Sequence, residues 1–288
     1  MILSKGIRYM LLATFVFSSM NVCVKLIPHL PAVEIVFFRS LISLVLSFAY
    51  LKSTKEFTWG NNKLNLILRG VFGAISLILY FKTLQHIPLA SAVTIQFLAP
   101  IFTAILGIFL VREYVKPLQW LFFLMAFAGV IVIQGFDTRI SLLYLLMGLG
   151  ASVASGLAHN FIRKMKSSEH PLVIVLYFPL VTLPVTAIWS IFIWETPTGY
   201  DWLVLLAVGI LTQIAQVLMT KAIQAEELAK IASLRYISII YALMYGFLLF
   251  DESFNLLTYV GMVLTLIGVV LNIWYKYHIS RKQIKNVE

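Results

Sequence analysis

The sequence predicts an all-α integral membrane protein of ten transmembrane helices, arranged as a 5+5 inverted-topology repeat. Three observations carry that prediction. First, the 288-residue chain is 61% hydrophobic and only 12% charged, with a mean hydropathy of +0.94. Soluble domains are about 45–50% apolar and about 25% charged. Second, the chain divides into ten apolar segments, and a spanning helix needs about 20 mainly apolar residues. Third, a pattern in the first half returns 139 positions later without a gap. It carries Lys82 to Lys221, Gln85 to Gln224, Gly107 to Gly246, Glu113 to Glu252 and Gly129 to Gly268. The same shift carries Asn21 to Asn160 and Lys25 to Lys164. Apolar residues match easily by chance, but polar ones in one register argue for an internal duplication.

The ten spans, in order, are 6–27, 32–51, 64–84, 89–111, 117–136, 141–162, 171–193, 201–220, 228–250 and 255–275. The connections are short and leave no room for a soluble domain. An outer-membrane barrel is excluded, because it would show alternating segments of about ten residues. Span 1 is as long as a full crossing and lacks an A-x-A-like cleavage site, so it reads as retained rather than as a signal peptide. Span 4 contains Pro100, which frees a backbone carbonyl and interrupts the helix. Span 9 carries Ile239 at the matching position, and Glu226-Glu227 in place of Ile87-Pro88. The two halves are therefore expected to bend differently.

Five helices is an odd number, so the second copy enters the membrane from the opposite side. The copies cover 1–138 and 139–288, joined by the short polar turn Gln134–Ser141. Inverted repeats are a common transporter plan, with the substrate site near the midplane between the halves. Lysines and arginines fall mainly on one side. They include Lys5, Arg8, Lys52, Lys63, Arg69, Arg112 and Arg163. Lys25, Lys82 and Arg139 fall on the other. The positive-inside rule then places both termini in the cytoplasm. The net charge of +10 is a topology signal. A nucleic-acid partner would need basic residues clustered on an exposed domain. Cys23 is the only cysteine, which excludes an intrachain disulfide. Short loops and no N-x-S/T sequon suit a bacterial cytoplasmic (inner) membrane.

Several motifs recur in both halves. Ile87–Ala92, the mid-helix Pro100, Leu110–Glu113 and the closing Gly129 are one set. Phe250–Glu252 and Gly268 repeat part of it. The pattern resembles the drug/metabolite transporter superfamily, in particular its EamA-like transporter family, over nearly the whole chain. Phe37–Arg39 and Arg235-Tyr236 resemble a subgroup that includes bacterial S-adenosylmethionine transporters. The resemblance implies a central cavity enclosed chiefly by spans 3, 4, 8 and 9.

Candidate cavity residues follow from helical spacing, since positions three and four apart share a face. Span 1 presents Thr14, Ser18, Asn21 and Lys25; span 4 presents Gln96, Pro100, Thr103 and Gly107. Span 8 presents Gly209, Gln213, Gln216 and Thr220; span 9 presents Arg235, Ser238, Ala242 and Tyr245. Amides and an arginine in a span need partners that lipid cannot supply. Small residues on span 6 at Gly148, Ser152 and Gly156 read instead as a helix-packing stripe. Arg39 and Arg235 lie about two turns inside their spans, where a charge costs roughly 2.5–3.5 kcal/mol on insertion scales. No acidic residue occupies a central span. Arg235 is even between a substrate-facing and a structural role; for Arg39 the structural role leads. Glu113 and Glu252 are expected to tie loops to neighbouring helix ends.

The expected function is a secondary transporter of a small organic metabolite, amino-acid-like, nucleoside-like or otherwise anionic or zwitterionic. The expected substrate-binding residues are Arg235 for an acid group, Gln96, Gln213 and Gln216 for hydrogen bonds, and Tyr236 and Tyr245 as an aromatic wall, with Arg39 as a further candidate. Its partners are the small-molecule substrate and the lipid bilayer, with H+ or Na+ as candidate coupling ion. No cofactor or metal is expected: His29 and His159 are isolated, and there is no Walker sequence for ATP. An intramembrane serine protease is the enzymatic alternative, from Gly150-Ala151-Ser152 with His159. Seven residues of helix separate that pair by about 10.5 Å of rise, too far for a hydrogen bond. A channel is the other alternative, but nothing resembles a selectivity filter or a ring of like charges.

Overall fold

The computed structural model describes residues 5–54, 59–112, 115–165, 168–169, 171–225 and 233–285. Eleven α-helices and one 3-10 turn make up its elements among those residues. Spans 1 to 3 are α1 (Lys5–Leu26), α2 (Ala32–Thr54) and α3 (Lys63–His86). Span 4 is split into α4 (Leu89–Gln96) and α5 (Ala99–Leu110). Spans 5 to 8 are α6 (Pro117–Phe136), α7 (Leu142–Lys164), α8 (Pro171–Ile193) and α9 (Asp201–Ala225). Span 9 is a 3-10 turn at Ser233–Tyr236 followed by α10 (Ile237–Phe250); span 10 is α11 (Leu256–Lys285). Nine described helical stretches, α4 with α5 counted as one, are long and apolar enough to cross a membrane, and Leu234–Phe250 is a shorter apolar helix.

The helix starts are written locally. Pro117 stands in the first turn of α6, where its missing N–H costs nothing. Asn62 and Ser141 cap α3 and α7 by accepting from Asn65 N and Tyr144 N. Large apolar side chains such as Phe109, Phe192 and Leu256 point outward at 77–79% exposure. That pattern would be ruinous in water and is natural against lipid.

Helix contacts follow a pseudo-twofold rule. The shift that maps span 1 to span 6 also pairs the main contacts between the halves with partner contacts. α1 packs on α9, and α7 packs on α3. α2 meets α9, and α8 meets α3; α5 meets α7, and α10 meets α1. The self-paired contacts are α2 with α8, span 4 with span 9 (through α4 and α10), and α6 with α11. The last of these depends on glycine. A Cβ on Gly129 would lie 2.5 Å from Thr265 N, and one on Gly268 would lie 2.7 Å from Ala126 N and Phe122 O. Backbone atoms cannot move aside, so only glycine permits this approach. Gly129 and Gly268 are counterparts under the 139-residue shift. Thr265 then donates to Ala126 O at 3.3 Å across the same crossing.

The two halves change backbone conformation at one register, but in different ways. Pro100 sits in the first turn of α5. It lacks the N–H that would bond to Gln96 O, so the helix breaks at Phe97-Leu98. The second half changes helix type at Tyr236-Ile237, which is the same register. No proline stands at that second change, and the helix runs on from 3-10 to α without interruption. What joins the two is contact: the Phe97 and Tyr236 rings lie 4.8 Å apart, centroid to centroid.

Candidate functional site

A cavity of about 400 Å³ lies between the two halves, within the size range of small-molecule sites. Its wall includes the N-terminal halves of α1 and α3, at Met10 and Arg69, and the C-terminal halves of α7 and α9, at Ile162 and Met219. Consecutive spans alternate in direction, so these ends share one side of the molecule. The cavity therefore reaches in from that side and past the middle of the helices, to Asn21 of α1 and Tyr80 of α3. The break in span 4 forms part of its wall, through Gln96, Phe97 and Pro100.

Of the seven residues expected from sequence, five line this cavity: Arg39, Gln96, Gln216, Arg235 and Tyr236. Arg235 is surrounded by protein yet open to the cavity space. Gln96 Oε1 is buried there without a hydrogen-bond partner. Arg39 is buried, 5% exposed, and its Nε donates to Thr212 Oγ1 at 3.0 Å. The structure does not bring Gln213 and Tyr245 to the cavity. Gln213 Oε1 accepts from Ser43 Oγ at 2.9 Å, which bonds α9 to α2. Tyr245 Oη and Ser19 Oγ lie 3.1 Å apart, which bonds α10 to α1. One face of a helix spans both the cavity and the contact beside it. Spacing alone does not separate the two.

Other stripes divide in the same way. Thr14, Ser18 and Asn21 line the cavity, whereas Lys25 lies beyond it in an ion pair with Glu252. On α7, Gly148 and Gly156 are packing positions: a Cβ on Gly156 would lie 2.9 Å from Phe102 C and Thr103 N. Ser152 is fully buried and donates to Ile95 O at 2.9 Å, tying α7 to α4. Ser155 and His159 do face the cavity. Ser152, the serine of the protease alternative, is thus a packing residue, while its supposed partner opens elsewhere.

Among the cavity residues that the sequence does not single out are Arg69 and Phe178. From the sequence, Arg69 counts among the basic residues on the cytoplasmic side. It projects into the cavity, with Nε and Nη1 buried and unpaired. Phe178 of α8 lies beneath it, its ring centroid 4.6 Å from Arg69 Cζ and 5.5 Å from Arg39 Cζ. Arg69 is two turns from Lys63, the start of α3. That distance was the signal, masked by the basic residues nearby. Among the described residues, no aspartate or glutamate lines the cavity, and no group of three His, Cys, Asp or Glu side chains could hold a metal ion.

At the opposite end, Glu252 ties the halves together. Both its oxygens accept from Leu89 N, at 2.8 and 3.1 Å, and it pairs with Lys25. Lys25 Nζ also donates to Ile87 O at 2.7 Å. This is the loop-to-helix role expected of Glu252. The matching role of Glu113 lies outside the described residues.

The EamA-like transporter family model matches residues 4–135 and again 142–274. The pseudopaline exporter CntI of Pseudomonas aeruginosa strain UCBPP-PA14 is 32% identical, over 93% of this chain and 96% of its own length. Solute carrier family 35 member G1 of Mus musculus is 31% identical, over 86% of this chain and 72% of its own. A solved crystal structure with 18% identity superposes with a TM-score of 0.65, covering 96% of this chain and 98% of that one. At that identity the likeness speaks to the fold alone.

Proposed function

Because the chain belongs to the EamA-like transporter family, we propose that it is a secondary transporter for a small organic metabolite bearing an acid group. It is a multi-pass membrane transporter. The reading adds alternating access through the central cavity, with Arg235 holding the acid group and Gln96, Gln216 and Tyr236 around it. One observation carries this: arginines line a cavity that contains no carboxylate among its described lining residues. A charge inside a membrane protein is a functional hypothesis by default. The similarity to an exporter favours outward transport. No binding step here calls for catalysis.

The test is flux. Protein reconstituted in liposomes should carry a metabolite chosen by thermal-shift screening of amino acids, nucleosides, S-adenosylmethionine and organic acids. Saturable uptake or efflux is expected, and an acid-bearing compound should compete with it. Flux that is indifferent to every anion, or that rises without saturation, would overturn the reading.

The proposal includes a location in the bacterial inner membrane, both termini cytoplasmic, and repeats meeting near residue 138. Thr138 and Asn61 are both exposed and lie on opposite sides in this topology. Single cysteines at the two positions, in a Cys23→Ala background, should react with an impermeant maleimide from opposite faces of the membrane. Reaction from the same face removes the inverted repeat.

A further inference from the structure

We propose that Arg39, Arg69 and Phe178 form a second anion subsite, so that the substrate carries at least two acid groups. The inference rests on the reading of Arg235 as the first subsite and extends it.

The second subsite is assembled from three helices. Arg39 comes from α2, Arg69 from α3 and Phe178 from α8. Glycines bring α3 against α8. A Cβ on Gly70 would lie 2.6 Å from Val181 Cβ, and one on Gly73 would lie 2.7 Å from Phe178 Cε2. Close approach sets the Phe178 ring under both guanidinium groups. A ring face attracts a cation but accepts no in-plane N–H bonds. The forks of Arg39 and Arg69 are thus held in place with donors to spare. Thr212 Oγ1 takes Arg39 Nε, while Arg69 Nε and Nη1 are buried with no acceptor.

Charge balance makes the same point. Arg39 and Arg69 repel each other at close range. His159 lies within electrostatic reach of both Arg69 and Arg235, so the three arginines share one space. A monoanion at Arg235 would leave two guanidinium groups without counter-charge in a site whose described lining holds no acid. A second carboxylate or phosphate would satisfy the planar forks through parallel hydrogen bonds. A lipid phosphate could offer the same chemistry as a soluble acid.

The test compares matched probes in the full-length protein: glutarate with butyrate, and glutamate with glutamine. In phosphatidylcholine nanodiscs, each diacid should bind at least about tenfold more tightly than its monoacid partner, a difference worth about 1.4 kcal/mol. Arg69→Gln should collapse that gap by weakening the diacid alone. Arg235→Gln should weaken both members of each pair. Phe178→Leu, which removes the platform but keeps the cavity apolar, should narrow the gap as well, and gives a second route should Arg69→Gln fold poorly. Equal binding of diacid and monoacid, with both still dependent on Arg235, overturns the second subsite and leaves the first. No binding by any of the four probes, or binding indifferent to Arg235, overturns both. Loss of glutarate binding when phosphatidylglycerol is added would assign the subsite to lipid phosphate and overturn the proposal.

Discussion

Replacing Arg235 by alanine should weaken binding of the anionic substrate by about tenfold or more, in protein that remains folded and monodisperse. A charge-assisted hydrogen bond contributes roughly 1.5–3 kcal/mol, and about 1.4 kcal/mol is a factor of ten. Arg235 opens into the cavity, and no carboxylate among the described lining residues competes for it. Arg235→Lys should fall between the parent and the alanine variant. It keeps the charge but loses the planar fork that grips two carboxylate oxygens. A scaffolding role makes a different forecast. Arg235→Ala would then lower expression and melting temperature, and whatever folded would bind with ordinary affinity. Binding and thermal stability measured on the same preparation separate these outcomes. Unchanged affinity in folded Arg235→Ala protein would move the site elsewhere.

How much of this was legible in the sequence depends on the scale. Span count and class follow from composition and segment length, because lipid permits few solutions. Pro100 announced the break at Phe97-Leu98, since its chemistry is local. The change of helix type at Tyr236 has no such signal; it lies where the two spans meet. The glycines of the α6–α11 crossing were visible as a repeated motif, but their role required the partner helix. For the site, residue type was readable and direction was not. Gln213 and Gln216 are three positions apart on α9. One bonds to α2 and the other lines the cavity. Arg69 was missed because basic residues near a helix start satisfy the positive-inside rule equally well. A sequence gives no depth for a side chain that can reach along a helix.

The second large effect is expected at the far end, where Glu252 joins Lys25 and Leu89 N. Lys25 is 12% exposed and Glu252 is 7% exposed. Breaking a buried pair by removing one partner costs about 3–5 kcal/mol, because a charge is left uncompensated. Glu252→Ala should show that loss in thermal stability, since it strands the Lys25 ammonium and removes the acceptor for Leu89 N. Lys25→Met/Glu252→Gln should recover part of it, because neither charge then remains and glutamine can still accept from Leu89 N. The pair also links the loop after α10 to the ends of α1 and α3 and the start of α4. Those elements belong to opposite halves, and Lys25, Leu89 and Glu252 lie outside the cavity wall. If the halves rock, this contact must open when the cavity faces its side. The double variant should therefore expose the cavity from that face. Ser18 lines the cavity and is 3% exposed. With Cys23 removed, a cysteine at Ser18 should react faster with an impermeant maleimide applied to the Lys25 side of the membrane in the double variant than in the otherwise unchanged protein. Equal labelling rates, together with ordinary flux, would confine the pair to holding the fold.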